Sequence, residues 1–365
     1  MRNGDRSTIV FWILLTQILL YQTSYAQPNP IVLKFDFTKP EIVKNAFVHE
    51  NINYDSVRVK SLNVYGAPGQ PIMPFQTVRI LLPQDGSLES IQVSTGHKIT
   101  LDGRYKIEYG KPVISKVFKP HLVLEAKPDK DIYSSMSPFP DTLYARLPLQ
   151  NFRGHKILIL NLYPVQYIPK EGLISYFQDM TVKVNLKPTI KISPLFRNLA
   201  KDRAEVIKKV DNADMVDTYT KKLEGPHIGC ICDPLESYDY VIITNNALKN
   251  SSGDYTFQDL VAHKAQKGIQ TTIVTVEEIE ADPDYRWNGT YGDGSPFFND
   301  TASHIRNFIK DAYINWEIDY VLLGGDGDGF KFCKRLIEGH QINVWSINGD
   351  CHFVQGQSFP LASTF

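Results

Sequence analysis

The sequence predicts a β-sandwich followed by the first part of a βαβαβ-type α/β domain. Three observations carry this reading. Short β-type runs alternate with turn signals across the first half. Near residue 238 the pattern changes to buried strands alternating with amphipathic helices. The N-terminus carries an export signal, so the folded part begins after it.

The export signal is read over residues 1–26. Arg2 and Arg6 give a basic start, and Ile9 to Leu20 is apolar but shorter than the about 20 residues that a membrane span needs. Ser24 and Ala26 place small residues where a signal peptidase inspects the chain, so cleavage is expected after Ala26. The expected product has 365 − 26 = 339 residues, room for about two domains, and no membrane span after cleavage. Lys and Arg total 39 against 40 Asp and Glu, so charge gives no case for nucleic acid or an acidic membrane as partner. An apolar content of 42% suits a chain that buries a core.

Residues 27–186 hold the β-type runs, among them Thr77 to Leu82, Ile91 to Ser94, Lys156 to Leu162 and Met180 to Leu186. Pro68-Gly69, Asp85-Gly86, Asp102-Gly103, Pro138 with Pro140, and Glu171-Gly172 stand between them as turns. Many short strands at such spacing predict a sandwich. Residues 187–237 have mixed charge and weak periodicity, and read as a partly helical, weakly packed linker. Basic residues from Arg203 to Lys222 make it the expected site of first proteolysis.

Residues 238–329 read as the α/β part. Tyr238 to Thr244 is a β-branched run suited to a buried parallel strand. Phe257, Leu260, Val261 and Ala265 then share one helical face, with Thr256 as cap and Gly268 as stop. Gln270 to Val276 is a second strand. Ile305, Phe308, Ile309, Ala312, Tyr313 and Trp316 mark the apolar stripe of a second helix. Tyr320 to Leu323 is a third strand, stopped by Gly324-Gly325-Asp326. Such an order builds a right-handed parallel unit.

Candidate chemistry is sparse. Cys230 and Cys232 flank one residue, which suits neither a mutual disulfide nor a zinc site of about four ligands. Together with His227 they reach at most a metal half-site, and exposed linker cysteines are the preferred reading. The run Gly324 to Gly329 does not fit a dinucleotide loop, because it follows the third strand and opens no helix. Asp326 and Asp328 are the candidate metal ligands, two hard carboxylates at a strand end that suit calcium but fall short of a full set. His263 and His304 are expected on the surface. Asn250, Asn288 and Asn299 begin glycosylation-type triplets and are expected unmodified, the resemblance described next being to bacterial proteins.

Two segments resemble the gingipain-like cysteine peptidase family. In the α/β part the match lies in YDYVIIT, FQDLVAHKAQKG, TTIVTVEEI as a strand, HIRNFIKDAYINW and DYVLLGGD, with Tyr320, Val321, Leu322, Leu323, Gly325 and Asp326 carrying its clearest signature. In the β part, Gly69-Gln70-Pro71 with Pro74, Leu82-Pro83, and Tyr163 to Tyr167 followed by Pro169 and Gly172 are similar to the family's pro-domain. The resemblance implies a caspase-like cysteine endopeptidase made as a secreted or cell-surface zymogen, acting on protein or peptide substrates. It implies no cofactor for the chemistry and, in many members, structural calcium. A cysteine thiolate attacks the scissile carbonyl and a histidine handles the proton.

The family's histidine follows a Gly-His-Gly-type turn and its cysteine ends a later strand. Only 365 − 326 = 39 residues follow Asp326, so neither catalytic residue is assigned and a chain truncated before the dyad is expected. His340 and Cys351 are the pair that could imitate it, but Gly339-His340-Gln341 lacks the second glycine and no strand-helix-strand unit is expected between them. Residues 330–365 are expected to depart from the family altogether. Against the peptidase reading stand a non-catalytic binding or adhesion module and a pro-domain-type inhibitor.

Overall fold

The computed structural model describes residues 28–112, 126–223, 231–286 and 299–325, with the backbone of Asn343–Ser346. The export signal, His227, Cys230, Asn288, Asp326, Asp328, His340 and Cys351 lie outside the described residues. Contacts divide the chain into two compact units. One comprises residues up to Val78, Asp85–Arg146 and Leu160–Lys191; the other comprises Arg79–Gln84, Leu147–Ile159 and everything from Ile192.

The first half is strand-rich, as the turn spacing predicts, and its hairpin and ladder pairings run antiparallel apart from isolated parallel bridges. Its strands are β1 (Ile31–Asp36), β2 (Glu41–His49), β3 (Ile52–Arg58), β4 (Asn63–Tyr65), β5 (Met73–Leu81), β6 (Gly86–Thr95) and β7 (Lys98–Thr100). After a one-turn helix α1 (Lys130–Tyr133) come β8 (Tyr144–Arg146), β9 (Gln150–Phe152), β10 (His155–Leu162), β11 (Val165–Ile168), β12 (Leu173–Phe177) and β13 (Asp179–Pro188). They assemble as β1-β13-β6, β4-β5-β10-β8 with β9 on β10, β11-β12-β7, and the hairpin β2-β3. Alternation does the sorting: in β13, Met180, Val182, Val184 and Leu186 turn inward while Lys183 faces out. Val57, Met73, Val165, Tyr167, Ile174 and Tyr176, drawn from different sheets, share one core, which makes this a β-sandwich. Gly172 takes a φ of +70°, and a Cβ there would sit 2.8 Å from the Tyr105 carbonyl, so the turn before β12 needs glycine.

The stretch from Leu195 to Tyr219 differs from the expected weakly packed linker. Helix α2 (Ala200–Ile207) and a 3₁₀ turn (Ala213–Thr218) bury Phe196, Val206, Val216 and Tyr219 against Leu81, Ile157 and Ile159. Backbone groups are also satisfied from this stretch: Asn212 pairs with both the N–H and C=O of Leu81, and the Tyr219 hydroxyl donates to the Leu82 carbonyl. The apolar residues are too far apart to show a periodicity, yet each plugs a gap beside a strand. Limited trypsinolysis should therefore begin at the exposed Lys221 and Lys222, and spare Arg203 and Lys209. A first cut at Arg203, read by mass spectrometry, would show that this stretch opens more readily than its burial implies.

The second half is a parallel sheet in the order β15-β14-β16-β17, from β14 (Tyr240–Thr244), β15 (Thr271–Thr275), β16 (Tyr320–Leu323) and β17 (Asn343–Ser346). Its helices are α3 (Asn246–Lys249), α4 (Phe257–Gln266), α5 (Val276–Ala281) and α6 (Thr301–Asn315). Thr256 caps α4 in a reciprocal box with Asp259, as the sequence predicts. The segment Val276-Glu277-Glu278-Ile279, expected as strand, is instead the start of α5. Thr275 accepts from the Glu278 N–H while Glu278 accepts from the Thr275 N–H, and that box ends the strand. Residues from β14, α6 and β16 build the main core, with Phe308, Ala312, Ile318 and Val321 fully buried.

Strand β17 is the second departure. It pairs in parallel register with β16, Tyr320 opposite Asn343 and Leu323 opposite Ser346. The segment after Asp326 thus adds a fourth strand to the sheet, where no continuation was expected. His304 is a third: it lies 5% exposed in the first turn of α6, not on the surface, while His263 is exposed. No helix among the described residues is long and apolar enough to cross a membrane.

Candidate functional site

In an open parallel sheet, ligands bind beyond the carboxyl ends of the strands, where the strand order reverses. Here β14 lies between β15 and β16, so the reversal falls at the ends of β14 and β16. Thr244 ends β14 fully buried, and Asn245 caps α3 by accepting from the Leu248 N–H. The first turn of α5 is tied to the same edge: Glu277 accepts from the Asn246 N–H at 3.1 Å, and Glu278 pairs with Lys249 at 2.9 Å. Gly324 continues the ladder by donating to the Ile243 carbonyl at 2.8 Å. A Cβ on Gly324 would lie 2.3 Å from the Phe257 ring. That glycine is set by close helix–strand packing, which accounts for it without a nucleotide.

Asp326 follows this edge directly in sequence, but both Asp326 and Asp328 fall outside the described residues. Among the described residues no group of three His, Cys, Asp or Glu side chains could hold a metal ion. Nor do the described residues contain a cysteine–histidine pair. Cys232, expected to be exposed, is fully buried beside Tyr285 and Asp311. Tyr285 donates to Asp311 at 2.8 Å, and Asn315 donates to the other carboxylate oxygen at 2.6 Å. Burial first, then the Asp311 charge, pushes the Cys232 thiol far above its ordinary value, so it is no thiolate nucleophile. His304 is held by Glu280 at 2.8 Å and Asn299 at 2.5 Å, which ties α5 to the start of α6. Both groups are structural parts of the core.

The densest polar arrangement was not legible in the sequence. Arg197 is 3% exposed and spends all five of its N–H donors. Nε and Nη2 grip Asp202 as a fork at 2.8 and 2.5 Å. Nη1 donates to the carbonyls of Tyr313 and Ile318 at 3.2 and 3.0 Å, and Nη2 also reaches Asp319 at 3.2 Å. The guanidinium lies 3.8 Å from the centre of the Tyr313 ring. Arg153 bridges Asp202 and Asp319 at 3.2 and 2.5 Å, and Lys201 closes the cluster on Asp319 at 3.0 Å. Burial works to raise the Asp319 carboxyl, but the hydrogen bonds and charges of Arg153 and Lys201 outweigh it and hold it below the ordinary value.

Comparison with known proteins places these parts. The profile of the C25 propeptide matches residues 37–221, which is 185 of 365 residues and so more than half of the chain. The profile of peptidase family C25 matches residues 233–356. The chain belongs to the C25 peptidase family. Within it, the propeptide match includes the packed stretch Leu195 to Tyr219, and the peptidase match takes in β17 and most of the tail expected to depart from the family. Among solved structures, the complex of the pro- and mature domains of RgpB from Porphyromonas gingivalis is 13% identical. That match covers 52% of this chain and 96% of that one, with a TM-score of 0.40. A structure addressing the zymogenic latency of gingipain K from Porphyromonas gingivalis is 19% identical, covering 45% of this chain and 90% of that one, with a TM-score of 0.39. No curated protein matches.

Proposed function

We propose that the chain is an exported, cysteine-type endopeptidase precursor of the C25 family that does not itself carry the catalytic dyad. The observation behind it is the order of the two family matches, propeptide over 37–221 and peptidase over 233–356. That order is the order of a zymogen, and protein or peptide substrates follow from the family. Export is supported by the basic, apolar and small-residue pattern of residues 1–26.

The pair His340 and Cys351 is a poor dyad on its sequence pattern. Gly339-His340-Gln341 lacks the second glycine of the family's turn, and the spacing to Cys351 leaves no room for a strand-helix-strand unit. Attack and proton transfer need both groups within hydrogen-bond reach of one substrate atom. Mixing the purified chain with an active C25 peptidase tests this reading against its rivals: cleavage of the chain without inhibition fits a precursor, and inhibition of the peptidase would move the reading to a propeptide-type inhibitor.

Structural calcium at Asp326 and Asp328 belongs to the same proposal, since both supply hard oxygen donors shortly after β16 in the sequence. Added calcium should raise the melting temperature, and the Asp326→Asn, Asp328→Asn double variant should lose that response. An equal response in the variant would remove these two residues as ligands.

A further inference from the structure

The Arg197 cluster lies at the pole of the sheet away from the strand ends where C25 chemistry would sit. Asp319 immediately precedes β16, and its N–H donates to the carbonyl of Asp239, just ahead of β14. Arg153, Arg197, Lys201 and Asp202 fall in the propeptide match, whereas Tyr313, Ile318 and Asp319 fall in the peptidase match. All seven residues lie within one compact unit.

We propose that this cluster is an anchor which keeps the propeptide bound to the peptidase part after the chain between them is cut. The apolar contact across this join is thin: among the described residues, Leu195 is the propeptide-side residue packed against the α6 core. The remaining apolar residues of the stretch, Phe196, Val206, Val216 and Tyr219, pack on propeptide-side partners. Polar groups therefore carry the join. Arg197 leaves no donor free, and two carboxylates are shared among three cations. Dismantling the join takes three cations from the Asp319 carboxylate and the Arg197 donors from two main-chain carbonyls at once, so the pieces separate slowly. Cutting the chain is then distinct from releasing the propeptide, and occupation of the catalytic edge is distinct from both.

The inference rests on the precursor reading, but its test needs no activity. A specific protease site inserted after the exposed Leu223 lets the purified full chain be cut once. After cutting, the two pieces should co-elute on size exclusion at submicromolar concentration. In Arg197→Met and in Asp319→Asn they should separate at least tenfold faster, followed by dilution and native mass spectrometry. Asp319→Asn keeps shape at a side chain that is not fully buried, so it decides the matter should Arg197→Met fail to fold. Wild-type pieces that part at once on cutting, or Asp319→Asn pieces that part at the wild-type rate, would overturn the anchor. Either result leaves the precursor reading untouched, because that reading rests on the order of the two family matches.

Discussion

Phe308→Ala is expected to destabilise the α/β part by about 3–5 kcal/mol. Phe308 sits mid-way along α6 with no exposed surface. Tyr285 meets its ring edge-on at 5.7 Å and Trp316 does so at 5.9 Å. Removing the ring loses its burial and both aromatic contacts, and the surrounding helix and strands cannot collapse into the space. Phe308→Leu keeps most of the volume and should lose less than about 1.5 kcal/mol. Urea denaturation followed by far-UV circular dichroism measures both. A loss below about 1 kcal/mol for the alanine variant would mean that α6 is not the centre of this core.

The second large effect is expected at Arg197. Arg197→Ala should cost about 3–5 kcal/mol, because it takes the bidentate partner from Asp202 and leaves Arg153 as the cation shared by two buried or half-buried carboxylates. Asp202 is 1% exposed, so water cannot take over the lost hydrogen bonds. Adding Asp202→Leu to Arg197→Met should recover much of that loss, since an apolar pair leaves no buried charge unpaired. Acid should act through Asp319. Its carboxyl is held below the ordinary value, so its contribution is fully present above about pH 4 and is lost as pH falls through the lowered value. Arg153→Met removes a main cause of the lowering, so the variant should begin to lose stability at a higher pH than the wild type. Coincident acid-unfolding curves for the two proteins would contradict that assignment.

The strands and the two longer helices were legible because their signals are local. Thr256 with Asp259, the stripe from Ile305 to Trp316 and the inward Met180, Val182, Val184 and Leu186 each state a period or a cap within a few residues. Strand β17 was not legible, because Asn343–Ser346 is four residues long and gains its place only by pairing with β16. The packing of Leu195 to Tyr219 was missed for a related reason. Phe196, Val206, Val216 and Tyr219 have no shared period, and each is buried by a partner distant in the chain. Arg197 and Asp202, five residues apart, read as surface charge in a linker. The acceptors of Arg197 at Tyr313, Ile318 and Asp319 are more than 100 positions away in sequence, beyond any local pattern. Cys232 was misjudged as exposed because the Tyr285 and Asp311 side chains that enclose it come from other elements.

A C25 propeptide joined to peptidase-domain strands with no working dyad, as proposed, should cleave no peptide. Peptide hydrolysis is measured on the purified chain, both intact and after a single cut following Leu223, with a peptide-based thiol probe alongside. No hydrolysis is expected in either form, and the same weak probe labelling is expected in the wild type and in His340→Ala. Hydrolysis that appears on cutting and is lost in Cys351→Ala, with probe labelling of Cys351 that disappears in His340→Ala, would contradict it.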